Sequence, residues 1–222
     1  MSTTHQQEES NKIVQYFVKK YKLLPHVEGG YYSEIFRNPL SVNIQNSSTS
    51  SDSTISSASS ENSVENQRSL STSIFYLLGG GDFSCFHSIK SFEQWHYYTG
   101  SCNLIIHVLD PQTKRYGKFV LNNRPNVESD LSLQQEDLLT PHWGSEKVEL
   151  TNLSCFIPEN WWFAAELEDK SPENYVMAGC TVSFGFDFRD FAKAKRDNLL
   201  AEFCKDGNDK ELEELIKRLT RD

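Results

Sequence analysis

Short runs in which apolar and polar residues alternate dominate the middle of the chain. The clearest run covers residues 83–89, where every second position belongs to one set: Phe83, Cys85, His87 and Ile89. Because side chains on a strand point to opposite faces in turn, His87 should share a largely apolar face with its companions. Lys90 and Ser91 supply a turn, and the aromatic-rich residues 93–99 form the next candidate strand. The pattern therefore predicts a hairpin that brings Glu93 back towards His87.

Further runs of this kind recur along the chain and are separated by residues typical of turns. They cover residues 31–37, 71–78, 103–109, 116–121, 153–157, 161–167 and 175–183. Short strands separated by turn signals predict an all-β fold, either a sandwich or a barrel.

The two ends of the chain follow a helical pattern instead. Apolar residues stand at near-helical spacing from the candidate N-cap Ser10 to Leu24, where Pro25 ends the pattern. Residues 191–203 have a partly apolar face and form a second candidate helix. A clear amphipathic pattern follows, with apolar residues at Leu212, Leu215, Ile216 and Leu219. We therefore expect an N-terminal helix and C-terminal helices around the β-fold.

Composition along the chain predicts one domain with additions. Residues 1–9 are polar and are expected to form a disordered tail, and residues 10–203 form the domain. A serine-rich stretch at about 43–69 interrupts it, and within this stretch eleven of the fourteen residues 47–60 are Ser or Thr. Such a segment cannot bury enough apolar surface to offset its chain entropy, so we expect a disordered insertion. Residues 204–222 form the C-terminal amphipathic helix.

Charge and cysteine usage exclude several classes of protein. The formal net charge of -9 argues against nucleic acid or an anionic membrane as a partner, because both require a basic surface. No apolar run approaches the roughly 20 residues needed to span a bilayer, and the N-terminus lacks a signal-peptide core. The five cysteines are scattered and include no Cys-x-x-Cys pair, which indicates a reduced, cytoplasmic protein without disulfides or structural zinc.

His87 and Glu93 are the strongest candidates for chemistry. A histidine and a carboxylate in a dry pocket suit general acid–base catalysis or the binding of a metal ion. The alternative is a histidine packed in the core with both ring nitrogens satisfied.

The spacing around these residues resembles a known motif. His87 follows Gly81 after five residues, three residues separate Ile89 from Glu93, and six separate Glu93 from Gly100. This is the spacing of the first cupin motif, except that Ile89 stands where the motif has a second histidine. Five segments in order resemble the cupin-5 family, also called DUF985: residues 26–37, 73–78, 93–100, 158–165 and 179–188. The resemblance covers about residues 12–203 apart from the serine-rich stretch.

The resemblance implies a cupin double-stranded β-helix, that is, a jelly-roll barrel. It also implies pairing as a homodimer and a fold relationship to dTDP-4-dehydrorhamnose 3,5-epimerase. The sequence also departs from the second cupin motif, because Asn160 stands in place of the motif's glycine and Phe163 in place of its histidine. With Ile89, two of the usual three histidine ligands are missing, so we expect no cofactor.

A divalent transition metal held by His87, Glu93 and His96 is the alternative. Gln94, His96 and Tyr98 should face away from Glu93, so His96 can join this set only if the strand bulges. A pocket role and a role on the sheet face or at an interface both remain open for His96.

These observations lead to three hypotheses. The first is a metal-independent isomerase or epimerase for a carbohydrate-like or nucleotide-linked small molecule, with His87 as base, Glu93 orienting it and Tyr97 as acid. The second is a binding module without catalysis, and the third is the metal enzyme. The expected ligand-binding residues are Glu28, Tyr31, Arg37, Trp95, His96, Trp162 and Phe163. For Glu28 and Arg37 a structural salt bridge is the alternative role.

Overall fold

A computed structural model describes residues 3–44, 66–124, 140–144, 152–205, 207 and 209–221 of the chain, with side chains from Lys12 onwards. Its helices are α1 (Thr3–Tyr21), α2 (Arg196–Phe203) and α3 (Lys210–Arg218), and a short 3₁₀ helix covers Phe188–Asp190. The first seven strands are β1 (Leu24–Pro25), β2 (Tyr31–Arg37), β3 (Ser41–Asn43), β4 (Gln67–Ser69), β5 (Thr72–Gly79), β6 (Phe83–Ile89) and β7 (Phe92–Gly100). The other seven are β8 (Leu104–Leu109), β9 (Tyr116–Leu121), β10 (His142–Trp143), β11 (Ser154–Ile157), β12 (Trp162–Leu167), β13 (Tyr175–Ser183) and β14 (Phe191–Lys193).

Twelve of these strands form two facing six-stranded sheets. The first has the order β1-β2-β5-β13-β7-β11 and the second the order β10-β9-β8-β12-β6-β14, with antiparallel neighbours throughout. The inward side chains of both sheets interleave into one core that includes Trp95, Tyr97, Ile106 and Phe163. Non-consecutive neighbours such as β5 and β13 are typical of a jelly roll. The predicted all-β jelly roll is therefore confirmed.

The helices cover the outer faces of the two sheets. α1 packs Phe17 and Tyr21 over Leu77 and Met177 of the first sheet. α2 and α3 cover the second sheet, where the amphipathic face predicted for the C-terminal helix is buried together with Phe86. In the described part of the chain, none of the helices is long and apolar enough to cross a membrane.

Several predicted boundaries differ from the structure. α1 begins at Thr3, so most of the expected tail is helical, consistent with the high helix propensity of its Gln and Glu residues. α1 ends at Tyr21 because Lys22 adopts a left-handed conformation with φ of 54°. The ends of the serine-rich stretch pair as β3 and β4, while residues 45–65 lie outside the described residues.

The predicted helix over residues 191–203 is wrong in its first part. Residues 191–193 form β14, which pairs with β6 so that Lys193 lies opposite His87, and the helix starts only at Arg196. The physical reason is burial, because the Phe191 ring packs against the core between the sheets.

A bulge in β6 modifies the predicted alternation. Phe163 of β12 lies opposite His87, but Ala165 lies opposite Ser84, so β6 has an extra residue between these pairs. His87 and Ile89 face inward as predicted, whereas Phe83 packs with the outer helices. The bulge thus turns the start of β6 outward while His87 keeps its inward position.

Candidate functional site

The predicted hairpin partners His87 and Glu93 line one cavity of about 390 Å³ between the two sheets. Its buried end also contains His26, Glu28 and Cys180. Tyr32, Ile89, Phe186 and Phe188 form apolar walls, and Glu34, Arg37 and Asp187 lie at its more exposed rim. The volume falls within the range of about 300–1,000 Å³ typical of small-molecule sites.

A tight turn between β1 and β2 carries Glu28 into this cavity. The His26 N–H donates to the Gly30 carbonyl at 3.0 Å, and the Gly29 N–H donates to the His26 carbonyl at 3.2 Å. The turn is attached to β6 because the Cys85 N–H donates to the Glu28 carbonyl at 2.9 Å. The Gly-Gly pair therefore holds the Glu28 side chain beside the middle of β6.

Glu28 and His87 form the central pair of the site. His87 Nε2 lies 3.1 Å from Glu28 Oε2, and both side chains are almost completely buried. His87 Nδ1 lies 2.8 Å from the Cys85 carbonyl oxygen, which only accepts hydrogen bonds. Nδ1 must therefore carry a proton, and a neutral His87 presents the lone pair of Nε2 to Glu28.

The charges of this pair follow from its burial. Burial lowers the pKa of His87 to about 3. Burial and the nearby Glu93 carboxylate raise the pKa of Glu28 well above its ordinary value. Both directions favour the uncharged pair, in which the Glu28 carboxyl O–H donates to Nε2. A single proton is thus shared between the acid and the base.

Glu93 contributes a second buried carboxyl group. It faces inward from β7, and burial raises the pKa of Glu93 to about 7, against the opposing effect of Cys180 and Trp95. Its charge also acts on Glu28, so the two carboxyl groups influence each other across the cavity. Near neutral pH, Glu93 therefore exists in both its acidic and its basic form.

His26 completes the buried end. Its Nδ1 lies 3.5 Å from Glu28 Oε2, and its side chain is 8% exposed. Burial lowers the pKa of His26 to about 4, so the ring is neutral. Within the described residues, Nδ1 has no hydrogen-bond partner. His26 thus adds a neutral ring to the buried end of the cavity, with one ring nitrogen that makes no hydrogen bond to the described residues.

The structure separates Tyr97, Trp95 and His96 from the cavity. Tyr97 and Trp95 face inward, as alternation predicts, but they belong to the core further along β7. The Tyr97 hydroxyl donates to the Cys102 carbonyl at 2.8 Å and does not line the cavity, so the structure does not bring the predicted acid to His87 and Glu93. His96 faces outward, where Nε2 lies 3.2 Å from Thr181 Oγ1. Its sheet-face role is the one the structure supports.

Of the other predicted binding residues, some line the cavity and some do not. Tyr31 packs under α1 and Trp162 packs with α2 and α3, so neither lines the cavity. Phe163 lies behind His87, with ring centroids 4.0 Å apart, and supports that ring instead of contacting a ligand. Glu28 and Arg37 do line the cavity, although Arg37 also forms a salt bridge with Glu34 at 2.6 Å.

The residues do not fit the metal set considered above. His96 lies on the opposite face of β7 from Glu93, and Ile89 and Phe163 provide no ligand atoms. Across the described part of the chain, no three His, Cys, Asp or Glu side chains are grouped so that they could hold a metal ion. We therefore derive no step through a metal.

Sequence reasoning missed several cavity residues, and the signals for them in the sequence were incomplete. Tyr32 lies on the face of β2 opposite Tyr31, and the choice between them depended on the unknown position of the core. Phe186 and Phe188 lie in one of the segments that resemble cupin-5, yet they show no regular pattern. Cys180 lies on β13 beside Trp95 of β7, a pairing that spacing alone does not predict.

Comparison with known proteins now gives a consistent result. The family model described as "Cupin superfamily (DUF985)" matches residues 15–194. A hypothetical protein from Leishmania major is 23% identical, with a TM-score of 0.62, and the match covers 94% of this chain and 98% of that one. A protein from Shewanella oneidensis is 21% identical, with a TM-score of 0.58, over 93% of this chain and 96% of that one.

These two likenesses show the fold alone. Comparison with curated proteins gives no significant match. The family model covers most of the chain and includes the Glu28 turn, β6, β7 and β13. The chain therefore belongs to the cupin superfamily, in the family described as DUF985.

Proposed function

We propose that this protein is an isomerase or epimerase that moves a proton next to the carbonyl group of a small molecule bound between the sheets. The observation that carries the proposal is the Glu28–His87 pair, in which the Cys85 carbonyl fixes the tautomer of His87. Nε2 is thereby kept as a base in contact with a carboxylic acid. In this proposal His87 is the final proton acceptor, Glu28 is the group that removes the proton from carbon, and Glu93 takes the role of acid that was expected of Tyr97.

The proposed step balances without a redox partner. Glu28 takes a proton from the carbon next to the ligand carbonyl through one carboxyl oxygen. It passes the proton on its other oxygen to His87 Nε2. Glu93, in its acidic form, donates its proton to the carbonyl oxygen, which becomes an enol hydroxyl. For the isomer, Glu28 delivers its proton to the former carbonyl carbon, the hydroxyl group on the carbon that lost the proton gives its own proton to Glu93 as the new carbonyl forms, and His87 Nε2 returns its proton to Glu28. For the epimer, the enol hydroxyl returns its proton to Glu93, and the original carbon is protonated on its opposite face after the enol has turned in the cavity.

Deuterium exchange tests this step directly. Free aldoses and ketoses are incubated with the protein in D₂O, and deuterium at the carbon next to the carbonyl is followed by proton NMR. We expect exchange that falls at least about 100-fold in Glu28→Gln and in His87→Gln, the usual scale for loss of general acid–base catalysis. His107→Gln is a matched control, since His107 Nε2 lies 3.2 Å from Glu166 Oε1 outside the cavity.

Circular dichroism and thermal unfolding establish that each variant is folded. Loss of exchange in the control as well would trace the effect to folding and contradict the assigned roles. Binding of a sugar without exchange would show a binding module and refute the isomerase.

We also expect a homodimer, and one exposed surface supports it. Phe92 and Phe156 stack on β7 and β11 with ring centroids 5.2 Å apart, and both are more than 40% exposed. Leu153, just before β11, and Tyr98 of β7 are also exposed. The Phe92–Phe156 pair lies at the β11 edge of the first sheet, where a second copy related by a twofold axis brings the same pair onto it.

Changing Phe156 to glutamate should convert the dimer to a monomer, because a carboxylate would be buried against apolar side chains. Size-exclusion chromatography with light scattering measures the mass. Phe36→Glu is the matched control, since Phe36 is 48% exposed on β2, and three strands lie between β2 and β11. A monomeric wild-type protein, or equal effects of both changes, would contradict this interface.

The five cysteines are all free, which supports the cytoplasmic location expected from their spacing.

A further inference from the structure

We infer that the cavity takes an uncharged polyhydroxylated carbonyl compound, such as a free sugar, and rejects the phosphorylated or nucleotide-linked form. The inference rests on the proposed function only for the place where the ligand binds. It is carried by two observations: the Arg37 guanidinium at the rim is already paired with Glu34, and the polar groups at the buried end include none that is positively charged.

Among the described residues that line the cavity, Arg37 is the one whose side chain is positively charged. Its guanidinium already forms a bidentate pair with Glu34, with Nε–Oε1 at 2.9 Å and Nη2–Oε2 at 2.6 Å. Nη2 also donates to the Phe186 carbonyl at 3.3 Å. The fork that would bind a phosphate is therefore occupied by a carboxylate.

The remaining charges at the rim add no positive potential. Asp187 lines the cavity and is bound by Arg189, with two contacts of 2.9 Å and 2.6 Å. Together the two pairs are neutral. A dianionic phosphate that displaced Glu34 from Arg37 would lie among the Glu34 and Asp187 carboxylates. Repulsion between the phosphate and these two carboxylates disfavours binding. The exposed Arg37–Glu34 pair is itself weak, so the repulsion and not the strength of that pair is the main obstacle.

The buried end offers hydrogen bonds but no positive charge. His26 Nδ1 has no hydrogen-bond partner among the described residues, and the Glu28 and Glu93 carboxyl groups line the same cavity. Ligand hydroxyl groups both donate and accept, so they can satisfy this mixed set. A charged group placed here would lose its hydration without an opposite charge to replace it.

The walls and the volume fit a single ring. Tyr32, Phe186 and Phe188 present aromatic surface on which the C–H face of a sugar packs. A cavity of about 390 Å³ is near the lower end of the range of about 300–1,000 Å³ for small-molecule sites, which suits a single ring. A nucleotide-linked sugar would also carry a diphosphate, for which the described lining residues offer no free positive charge.

Isothermal titration calorimetry with matched pairs tests the inference. The probes are D-fructose against D-fructose 6-phosphate, and D-glucose against D-glucose 6-phosphate. We expect the free sugars to bind at least tenfold more tightly than their phosphates. Glu34→Gln, which releases Arg37, should narrow this ratio several-fold. Glu213→Gln is the control, because Glu213 pairs with Lys217 at 2.7 Å on α3, away from the cavity.

Equal or tighter binding of the phosphates, or no binding of either class, would overturn the inference. Its failure is distinguishable from failure of the proposed function. Tight phosphate binding with deuterium exchange would leave the isomerase standing, whereas selective binding of free sugars without exchange would leave only the present inference.

Discussion

Replacing Glu93 with glutamine should raise the free energy of unfolding at pH 8 by about 3 kcal/mol. Glu93 is 7% exposed, and burial raises its pKa from an ordinary value of 4.5 to about 7. The difference between these two values corresponds to roughly 3 kcal/mol. A carboxylate that is ionised at pH 8 therefore destabilises the folded wild-type protein, and glutamine removes this penalty while keeping the shape.

The sign of the pH dependence follows from proton binding. Between pH 4.5 and about 7 the folded protein holds a proton on Glu93 that the unfolded chain has released. Stability from this group is thus fully present below pH 4.5 and is lost as the pH rises to about 7. The advantage of Glu93→Gln should be close to zero at pH 4.5, grow up to about pH 7 and stay constant above it. The pKa of His87 is lowered to about 3, so this residue also makes the free energy of unfolding depend on pH. That contribution is the same in both proteins and cancels in the difference between them.

Urea unfolding at a series of pH values measures this difference. Glu166→Gln is a matched control of opposite sign. Burial alone would raise the pKa of Glu166, but hydrogen bonds from His107, Arg218 and Lys170 outweigh it and hold the pKa well below its usual range. That variant should lose stability at pH 8. If Glu93→Gln instead lowered the free energy of unfolding by the same amount at every pH, the result would contradict the prediction that the buried, ionised Glu93 carboxylate destabilises the wild-type protein.

The alternation of residues predicted faces correctly but not depth along a strand. Glu93, Trp95 and Tyr97 do share the inner face of β7, and His96 does face outward. Only Glu93 reaches the cavity, because the cavity occupies one end of the space between the sheets and Tyr97 lies near the other end, at Cys102. A period of two carries no information on that position.

The pairing of Glu28 with His87 could not be predicted for a different reason. It depends on a turn that comes from an earlier part of the chain and on a bulge in β6. Local propensity describes neither the distance between these segments nor the extra residue. The sequence did contain the Gly-Gly pair that permits the turn, but not the position of that turn against β6.

Replacing Gly29 with alanine should lower the free energy of unfolding by about 4 kcal/mol and disassemble the site. A Cβ atom at Gly29 would lie 2.0 Å from the Phe83 carbonyl oxygen, which belongs to the backbone of β6 and cannot move aside. Gly29 also has φ of +121°, a conformation that side-chain-bearing residues rarely adopt. Backbone strain and overpacking each account for about 1–3 kcal/mol.

Gly81→Ala separates the two contributions. Gly81 also has a positive φ, of +82°, but a Cβ there would meet no atom within 4 Å. We expect it to lose only about 1 kcal/mol by urea unfolding, the strain part alone. The extra loss in Gly29→Ala then measures the contact of the turn with β6. That contact includes the Cys85 N–H to Glu28 carbonyl hydrogen bond, so Glu28 should move away from His87 Nε2 and deuterium exchange should disappear even where the variant is folded. Equal losses of stability in the two variants, with exchange intact, would mean that the Glu28 turn does not depend on its close approach to β6.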